Sequence, residues 1–432
     1  MSVRDLLVVG IVLFGSLYAL RQPWVGAILW AWVSLMNPHN LAFGFAQSFP
    51  VAAIVAVATM IGVAITKDRQ NPFDQPPVIW LALFLGWMCF TYPFSYNVEG
   101  STDMLTKIVK IDLMTLVTLM VLKTRRHIEI FVWVVAGSLA FYGVKGGIFT
   151  IINGGNYRVW GPGGFIGGNN ELALALIMII PLIRFAQLQV TKTWMRHACS
   201  AAMLLTAAAA LGSHSRGALL GIAAMAVYLW LKSPKKLGFG IGIVIVGVGL
   251  VIFMPDEWSA RMNSIQDYEQ DASSMGRINA WWAAFNIAKA HITGAGFDMY
   301  TYDIFARFAP NPLDLHAAHS IYFQVLGEQG FIGLFLFLGI WLSAWRMAGS
   351  IIRYKTNDPD RAWCKVLAAM CQVSLIGYAV GGAFLSLAYF DLPYDILVII
   401  VLLKKWMFAG SGAATVGEKD VSITQLSRKV SA

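Results

Sequence analysis

Long apolar runs recur along almost the whole chain and constrain its fold more than any other feature. The sequence is 58% hydrophobic and only 13% charged, whereas a soluble domain has about 25% charged residues. A helix needs about 20 apolar residues to cross a bilayer, and a soluble helical core does not require so many runs near that length. The sequence therefore predicts an all-α polytopic membrane protein, with spans at 5–20, 23–36, 49–66, 78–96, 106–122, 128–151, 169–190, 198–212, 217–231, 237–254, 320–345, 363–387 and 393–408.

The connections between the runs alternate in charge. Most of the 32 lysines and arginines lie in one alternating set of connections and in the tail. The positive-inside rule places that set in the cytoplasm, which also explains the net charge of +9 without nucleic acid as a partner. The other set is then expected on the far side, which is the periplasm in a bacterium: 37–48, 97–105, 152–168, 213–216, 255–319 and 388–392.

The N-terminal run resembles a signal peptide only superficially. Its basic region is weak, no A-x-A-like site precedes Arg21, and apolar sequence continues directly after it, so we expect an uncleaved first span. Thirteen spans with a cytoplasmic tail would leave the N-terminus outside. Alternatively, the first two runs, which are short and split by "RQP", form a kinked or partly inserted hairpin, and about twelve helices cross the membrane.

Four segments follow from this pattern. Residues 1–254 hold the N-terminal transmembrane helices, 255–319 form one large periplasmic loop, 320–408 hold the C-terminal helices, and the Gly-, Ala-, Thr- and Ser-rich residues 409–432 are expected to be a disordered cytoplasmic tail. Within the loop, "GRINAWWAAFNIAKAH" predicts an amphipathic helix at the membrane interface. The four cysteines lie in or beside apolar runs without a C-x-x-C spacing, so neither disulfides nor a zinc site is expected.

Ten basic residues fall outside the cytoplasmic set, where topology does not explain them. A charge at the edge of a membrane is costly unless it is paired or functional. Arg158, Arg216 and Arg277 lie in polar, glycine-rich contexts, and the planar guanidinium can bind two phosphate oxygens at once. We consider two interpretations: the three hold one phosphate or diphosphate between helices, or each pairs with a nearby acid. The ten residues are Arg4, Lys107, Lys110, Lys145, Arg158, Arg216, Arg261, Arg277, Lys289 and Arg307.

Two histidines stand at the outer entry of a later run. His316 and His319 are three residues apart and would share one face of a helix, and a neutral imidazole there can accept a proton. Three other interpretations remain open. A histidine at a membrane interface can be only a polar cap, and two histidines can bind a metal, although no third ligand has suitable spacing. Glu328 can partner His319, but nine residues of helix place it near the opposite face.

Several motifs together resemble one protein family. "SHSRGALLG", a long outer loop and "HSIYFQVLGEQGFIGL" resemble the H-[NS]-x-[YF]-x5-E-x-G-x-x-G-L pattern of the O-antigen ligase and polymerase superfamily. "GGNNELAL" is similar to the Gly/Asn-rich entry to a span in that superfamily. Near the N-terminus, "ILWAWVSLMNPHNLAFGFAQSFPVAAIVA" resembles exosortase-associated O-glycosylation ligases. The resemblance extends from about residue 24 to about residue 400.

The resemblance implies a glycosyltransferase that needs neither nucleotide nor metal. Members transfer a glycan from undecaprenyl diphosphate to an acceptor hydroxyl at the periplasmic face, and their fold is an integral-membrane, GT-C-like glycosyltransferase fold. By motif, the catalytic positions are His319, Arg216 and Arg277. The sequence departs from the common pattern at Ser320, where asparagine is frequent, and in its additional histidine. Further candidates for substrate binding are Arg158, His316, Arg261, Lys145, Asn170 and His214.

The resulting hypothesis is an O-antigen ligase of the bacterial inner membrane. It would transfer the glycan to lipid A–core by direct displacement with inversion, in contact with membrane lipids. A polymerase that extends the glycan and a protein O-glycosylating ligase would share this site and differ in the acceptor. A transporter or flippase for lipid-linked sugars is an alternative from another class. Transporters often carry internal repeats and charges near the midplane, whereas here no repeat is visible and the charges gather at one face.

Overall fold

The computed structural model describes residues 3–42, 44–233, 236–263, 272–355 and 358–408, and all regular structure within these ranges is helical. Short 3₁₀ turns connect several of the α-helices. In chain order the α-helices are α1 Val3–Ala19, α2 Pro23–Met36, α3 Val51–Ile65, α4 Pro76–Thr91, α5 Val98–Val121, α6 Arg125–Ile152, α7 Asn169–Gln189, α8 Thr193–Gly212, α9 Arg216–Lys232, α10 Lys236–Phe253, α11 Asp256–Asn263, α12 Ala272–Ala290, α13 Tyr302–Phe308, α14 Ile321–Arg353, α15 Pro359–Gly381 and α16 Asp391–Phe408.

Each apolar run in the sequence coincides with one of these helices, so the predicted all-helical class is confirmed. Among the residues that the structure describes, five helical stretches are long and apolar enough to cross a membrane by themselves, and the chain is therefore a multi-pass membrane protein. The segment 409–432, predicted to be disordered, lies outside the described residues. The five stretches are Pro76–Phe94, Arg125–Ile152, Asn169–Gln189, Ile321–Arg353 and Arg361–Phe384.

Local sequence explains where many helices begin. Proline occupies the first turn of α2 and α4, where its missing N–H leaves no hydrogen bond unmade. Side-chain caps begin three others. The Asn97 side chain accepts from the backbone N–H of Gly100 at the start of α5, Thr124 caps α6, and Ser215 caps α9. Each cap satisfies a backbone donor that the first helical turn leaves without a partner.

The two short N-terminal helices form a complete antiparallel hairpin. The carboxylate of Asp5, in the first turn of α1, accepts a hydrogen bond from the backbone N–H of Ala46 at 3.3 Å. The start of α1 therefore lies beside the loop that follows α2, at the same end of the bundle.

The connections gather at two opposite ends of the bundle according to their charge. At the basic end, Lys405 near the end of α16 lies 2.9 Å from Asp74, which precedes α4. At the other end, which we call the outer end, the backbone N–H of Val159 donates to the carbonyl of Gly212 at 3.1 Å and joins the connections after α6 and α8. Each of these two contacts joins connections that the sequence analysis assigns to the same side.

Small residues permit the close packing of α6 on α8. A Cβ at Gly147 would clash with the backbone carbonyl of Leu205, and one at Gly143 would clash with Thr206. Without a hydrophobic driving force between helices in lipid, such close backbone approach is a main source of helix association. The pair fixes where the outer ends of α6 and α8 meet, and hence where the loop between α6 and α7 lies.

Residues 272–320, which we call the outer segment, pack on the start of α14. Ala284 and Ile287 of α12 are fully buried, and Trp281 stacks on Phe323 of α14 at 4.9 Å between ring centroids. The sequence predicts one uninterrupted span at 320–345, but α14 is interrupted at Gly330, whose φ is 69°. A side chain there would clash with the carbonyl of Ile292, so the interruption is where the end of the outer segment docks.

Candidate functional site

Two helices at the outer end begin with the same local arrangement. His214 and Ser215 precede α9, and His319 and Ser320 precede α14. Both histidines have left-handed backbone conformations, with φ of 58° and 42°. Such a conformation costs a non-glycine residue about 1–3 kcal/mol and is found preferentially at functional sites. The geometry marks both helix entries as candidates for function.

A cavity of about 250 Å³ brings together the two arginines that the sequence singled out. We call it the arginine cavity; Arg216 comes from the first turn of α9 and Arg277 from α12. A third polar side chain, Ser274, faces the same space. The remaining walls are largely apolar, which lowers the local dielectric and strengthens the field of the two cations. The cavity is lined by Arg216, Gly217, Leu220, Ser274, Arg277, Ile278, Trp281 and Phe384.

His319 lies within the electrostatic reach of this cavity. Burial, together with the neighbouring Arg277 and His316, lowers the pKa of His319 to about 4, and burial is the largest cause. At neutral pH the ring is therefore uncharged. Its Nδ1 is buried and has no hydrogen bond within the described residues, so this nitrogen can take up a proton.

Within the described ranges, Glu171 is the acid that lies within 4.0 Å of His319, and the sequence analysis did not select it. Its Oε1 lies 4.0 Å from Nδ1 of His319, and 18% of the Glu171 side chain is exposed. A Cβ at Gly168 would clash with Glu171 Oε2, so the glycine-rich entry of α7 makes room for the carboxylate. The stretch "GGNNELAL" contained a signal that could have identified Glu171, because an acid stands there in the first turn of an otherwise apolar run.

His316 occupies a different place from His319. Its ring packs against Gly276, next to Arg277, where a Cβ would clash with the imidazole. Nδ1 of His316 lies 2.7 Å from Oδ1 of Asp314. The ring is therefore fixed between α12 and its own loop, beside the arginine cavity.

The loop that carries both histidines is tied to α12. The Asn279 side chain donates to the carbonyls of Asn311 and Asp314, at 2.8 and 2.9 Å. Trp281 Nε1 donates to the carbonyl of Ala318 at 2.7 Å. These bonds hold the histidine loop on the helix that supplies Arg277, so the relative position of the two groups is built into the fold.

Glu328 does not partner His319. It is buried in the first turns of α14, where its Oε2 accepts a hydrogen bond from the hydroxyl of Tyr389 at 2.8 Å. The helical spacing predicted this separation. Within the described part of the chain, no three His, Cys, Asp or Glu side chains are grouped so that they could hold a metal ion.

The remaining predicted residues fall at four different places. His214 is buried, and its Nε2 lies 2.9 Å from the carbonyl of Gly155, so it holds the loop before α7. Asn170 lies half-buried in the first turn of α7, beside Glu171. Lys145 and Arg158 line a separate cavity that shares no residue with the arginine cavity. Arg261 is on α11, and its side chain lies outside the described residues.

The three residues predicted to be catalytic lie in one segment that matches a known family. Residues 201–338 match a family described as O-antigen ligase, and this stretch contains Arg216, Arg277 and His319. Residues 3–191, which contain Glu171, match a second family whose description states only that its function is unknown. No curated protein matches the chain. The resemblance to the O-antigen ligase superfamily is therefore confirmed over residues 201–338.

Proposed function

We propose that the chain is an O-antigen ligase that transfers a glycan from undecaprenyl diphosphate to a hydroxyl of lipid A–core, at the periplasmic face of the bacterial inner membrane. The observation that carries this proposal is the joint position of Arg216 and Arg277 in one cavity. Negative charge grows on the leaving diphosphate as its bond to the sugar breaks, and cations preorganised in a water-poor site stabilise that charge.

The membrane arrangement belongs to the same proposal. The outer end of the bundle faces the periplasm, because the opposite end carries the basic connections. The thirteen helices that match apolar runs, α1–α10 and α14–α16, form an integral-membrane glycosyltransferase bundle of the GT-C type. The carrier then approaches the arginines from within the bilayer, and the acceptor approaches from its outer leaflet.

An apolar groove beside the arginine cavity fits the polyprenyl tail. The groove has a volume of about 830 Å³ and lies between α9 and α10. Ala223 and Val227, on its α9 wall, follow Leu220, which lines the arginine cavity. A carrier lipid can therefore place its diphosphate at Arg216 and its hydrocarbon chain along α9.

The reaction we derive is a single displacement at the anomeric carbon. The acceptor hydroxyl oxygen forms a bond to that carbon, and the bond from the carbon to the diphosphate oxygen breaks, with its electron pair leaving on the diphosphate. Arg216 and Arg277 stabilise this departing anion. The hydroxyl proton passes to the neutral ring of His319, and one displacement inverts the anomeric configuration.

Glu171 supports this role of His319. Proton transfer gives the ring a positive charge, which Arg277 opposes and the carboxylate 4.0 Å away favours. A carboxylate beside a histidine base stabilises the imidazolium that forms. In this proposal, His316, beside Arg277, and Asn170, beside Glu171, contact the glycan.

Reconstituted protein tests the function directly. Purified chain in nanodiscs is given an undecaprenyl-diphosphate glycan and lipid A–core without nucleotide, and the products are separated by gel and mass spectrometry. Glycan-extended lipid A–core, with inverted anomeric configuration by NMR, is the expected product. Longer lipid-linked chains without transfer would instead identify a polymerase. Movement of the donor across vesicles with no new glycosidic bond would identify a transporter.

A further inference from the structure

The second basic cavity at the outer end contains two of the unexplained cations. We call it the lysine cavity; it has a volume of about 320 Å³, and Lys145 and Arg158 both line it. Lys145 is on the last third of α6, and Arg158 is on the loop between α6 and α7. The other residues in its wall include Leu41, Tyr142, Trp160 and Pro162.

The charge of the lysine cavity is uncompensated. None of its lining residues is acidic. Lys145 and Arg158 are both exposed, and within the described ranges neither has a carboxylate within 4.0 Å. Two such cations on one concave surface create a positive potential that favours an anion with several oxygen atoms.

The wall that carries Arg158 is held in place by the bundle. Val159 is buried, and its N–H donates to the carbonyl of Gly212. The Asn40 side chain donates to the carbonyl of Pro162 at 3.0 Å, and Tyr142 donates to the carbonyl of Met36. The site is therefore preorganised, which reduces the entropy lost when a ligand binds.

The exposed aromatic side chains indicate what accompanies the anion. Trp160, in the wall, is 62% exposed, and Tyr157 beside Arg158 is 64% exposed. Aromatic rings with a polar edge suit the headgroup level of a membrane and the faces of sugars. The same loop continues into the first turn of α7, whose Glu171 lies 4.0 Å from His319, so one connection links the lysine cavity to the proposed proton acceptor.

We propose that the lysine cavity is a second phosphate-binding site, which holds a phosphorylated sugar of the acceptor glycolipid while the arginine cavity holds the donor. This inference rests on the proposed ligase function. Phosphate groups of anionic membrane lipids share this chemistry, so the test separates the two sources. The site orients the acceptor hydroxyl toward His319 and discriminates between acceptors by their phosphorylation.

Kinetics with two forms of the acceptor test the site. Lys145→Gln and Arg158→Gln are assayed in phosphatidylcholine nanodiscs, with phosphorylated or enzymatically dephosphorylated lipid A–core. With the phosphorylated acceptor, each variant is expected to raise the acceptor KM by about tenfold and to leave the donor KM unchanged. With the dephosphorylated acceptor, the wild type should already show the raised acceptor KM, and neither substitution should raise that KM further.

The matched controls are Lys107→Gln and Arg307→Gln, exposed basic residues outside both cavities that should leave both KM values unchanged. A raised donor KM, an unchanged acceptor KM, or the same loss with the dephosphorylated acceptor would overturn the inference. An effect that appears only when anionic lipid is added to the nanodiscs would assign the site to membrane lipid and overturn it as well.

Direct binding separates this inference from the proposed function. Native mass spectrometry measures retention of phosphorylated and dephosphorylated lipid A–core by the wild type and the variants, without any transfer. Retention of the phosphorylated form alone, lost in Lys145→Gln and Arg158→Gln, is expected. If transfer occurs but this selectivity is absent, the second site is wrong; if the selectivity is present but no transfer occurs, the proposed function is wrong.

Discussion

Replacing Arg216 by lysine isolates the geometric part of the proposed diphosphate binding. Lysine keeps the positive charge in the arginine cavity but cannot form two parallel hydrogen bonds to one phosphate. The variant loses one charge-assisted hydrogen bond, worth about 1.5–3 kcal/mol. Since about 1.4 kcal/mol corresponds to a factor of ten in rate, kcat/KM should fall by about 10- to 150-fold.

The assay is initial-rate transfer in nanodiscs at varied donor concentration. We expect most of the loss in kcat, because the bond strengthens as charge develops on the leaving group. Arg307→Lys, an exposed arginine of α13 outside the cavity, is the matched control and should stay within about twofold of the wild type. A variant that elutes as monodisperse protein and retains more than about a third of the wild-type kcat/KM would refute the reasoning, because such a loss is smaller than one charge-assisted hydrogen bond.

Four further predictions concern the proton acceptor and the packing of the bundle. His319→Ala should lower kcat by about 10²- to 10⁴-fold, while donor binding, measured by native mass spectrometry, persists. Glu171→Gln should lower kcat by at least about tenfold, because it removes the negative charge 4.0 Å from the imidazolium that forms. Because the pKa of His319 is about 4, the ring becomes protonated only as the pH approaches that value. We therefore expect kcat/KM to stay level as pH falls through 6.5. A fall of kcat/KM to half its value near pH 6.5 would contradict the burial of His319. Gly147→Ala should lower stability by about 1–3 kcal/mol in a thermal-shift assay, whereas Gly137→Ala, with open space around it, should not.

Much of the bundle could be predicted from the sequence because lipid leaves the backbone few choices. A chain segment in a bilayer must satisfy its own N–H and C=O groups, so each apolar run becomes a helix. The run predicted at 169–190 corresponds to Asn169–Gln189, and that at 217–231 to Arg216–Lys232. Charge likewise predicts which end is the outer one, because lysine and arginine are distributed by side in membrane proteins.

The interruption of α14 could not be predicted in this way. Gly330 lies in an apolar, helix-compatible run, and its left-handed φ of 69° is explained by a distant partner. The carbonyl of Ile292 occupies the place where a side chain would be. The local pattern contains no trace of that contact, which depends on how the outer segment docks.

The candidate site was predictable in its residue types and only partly in its grouping. Arg216 and Arg277 share one cavity, although α9 and α12 are separated by two helices in sequence. Lys145 and Arg158 have the same charge on the same side, yet they line another cavity. The position of Glu171 near His319 depends on packing between helices about 150 residues apart, which a single sequence does not encode in any local pattern.

The most direct test of the account is whether Arg216 and Arg277 bind the same diphosphate. Affinity for undecaprenyl diphosphate, without glycan, is measured in nanodiscs for Arg216→Lys, Arg277→Lys and the double variant. Two groups on one ligand should be coupled, with a departure from additivity of about 1 kcal/mol or more. Changes that add to within about 0.3 kcal/mol would show that the two guanidinium groups act on separate ligands, and would contradict the account.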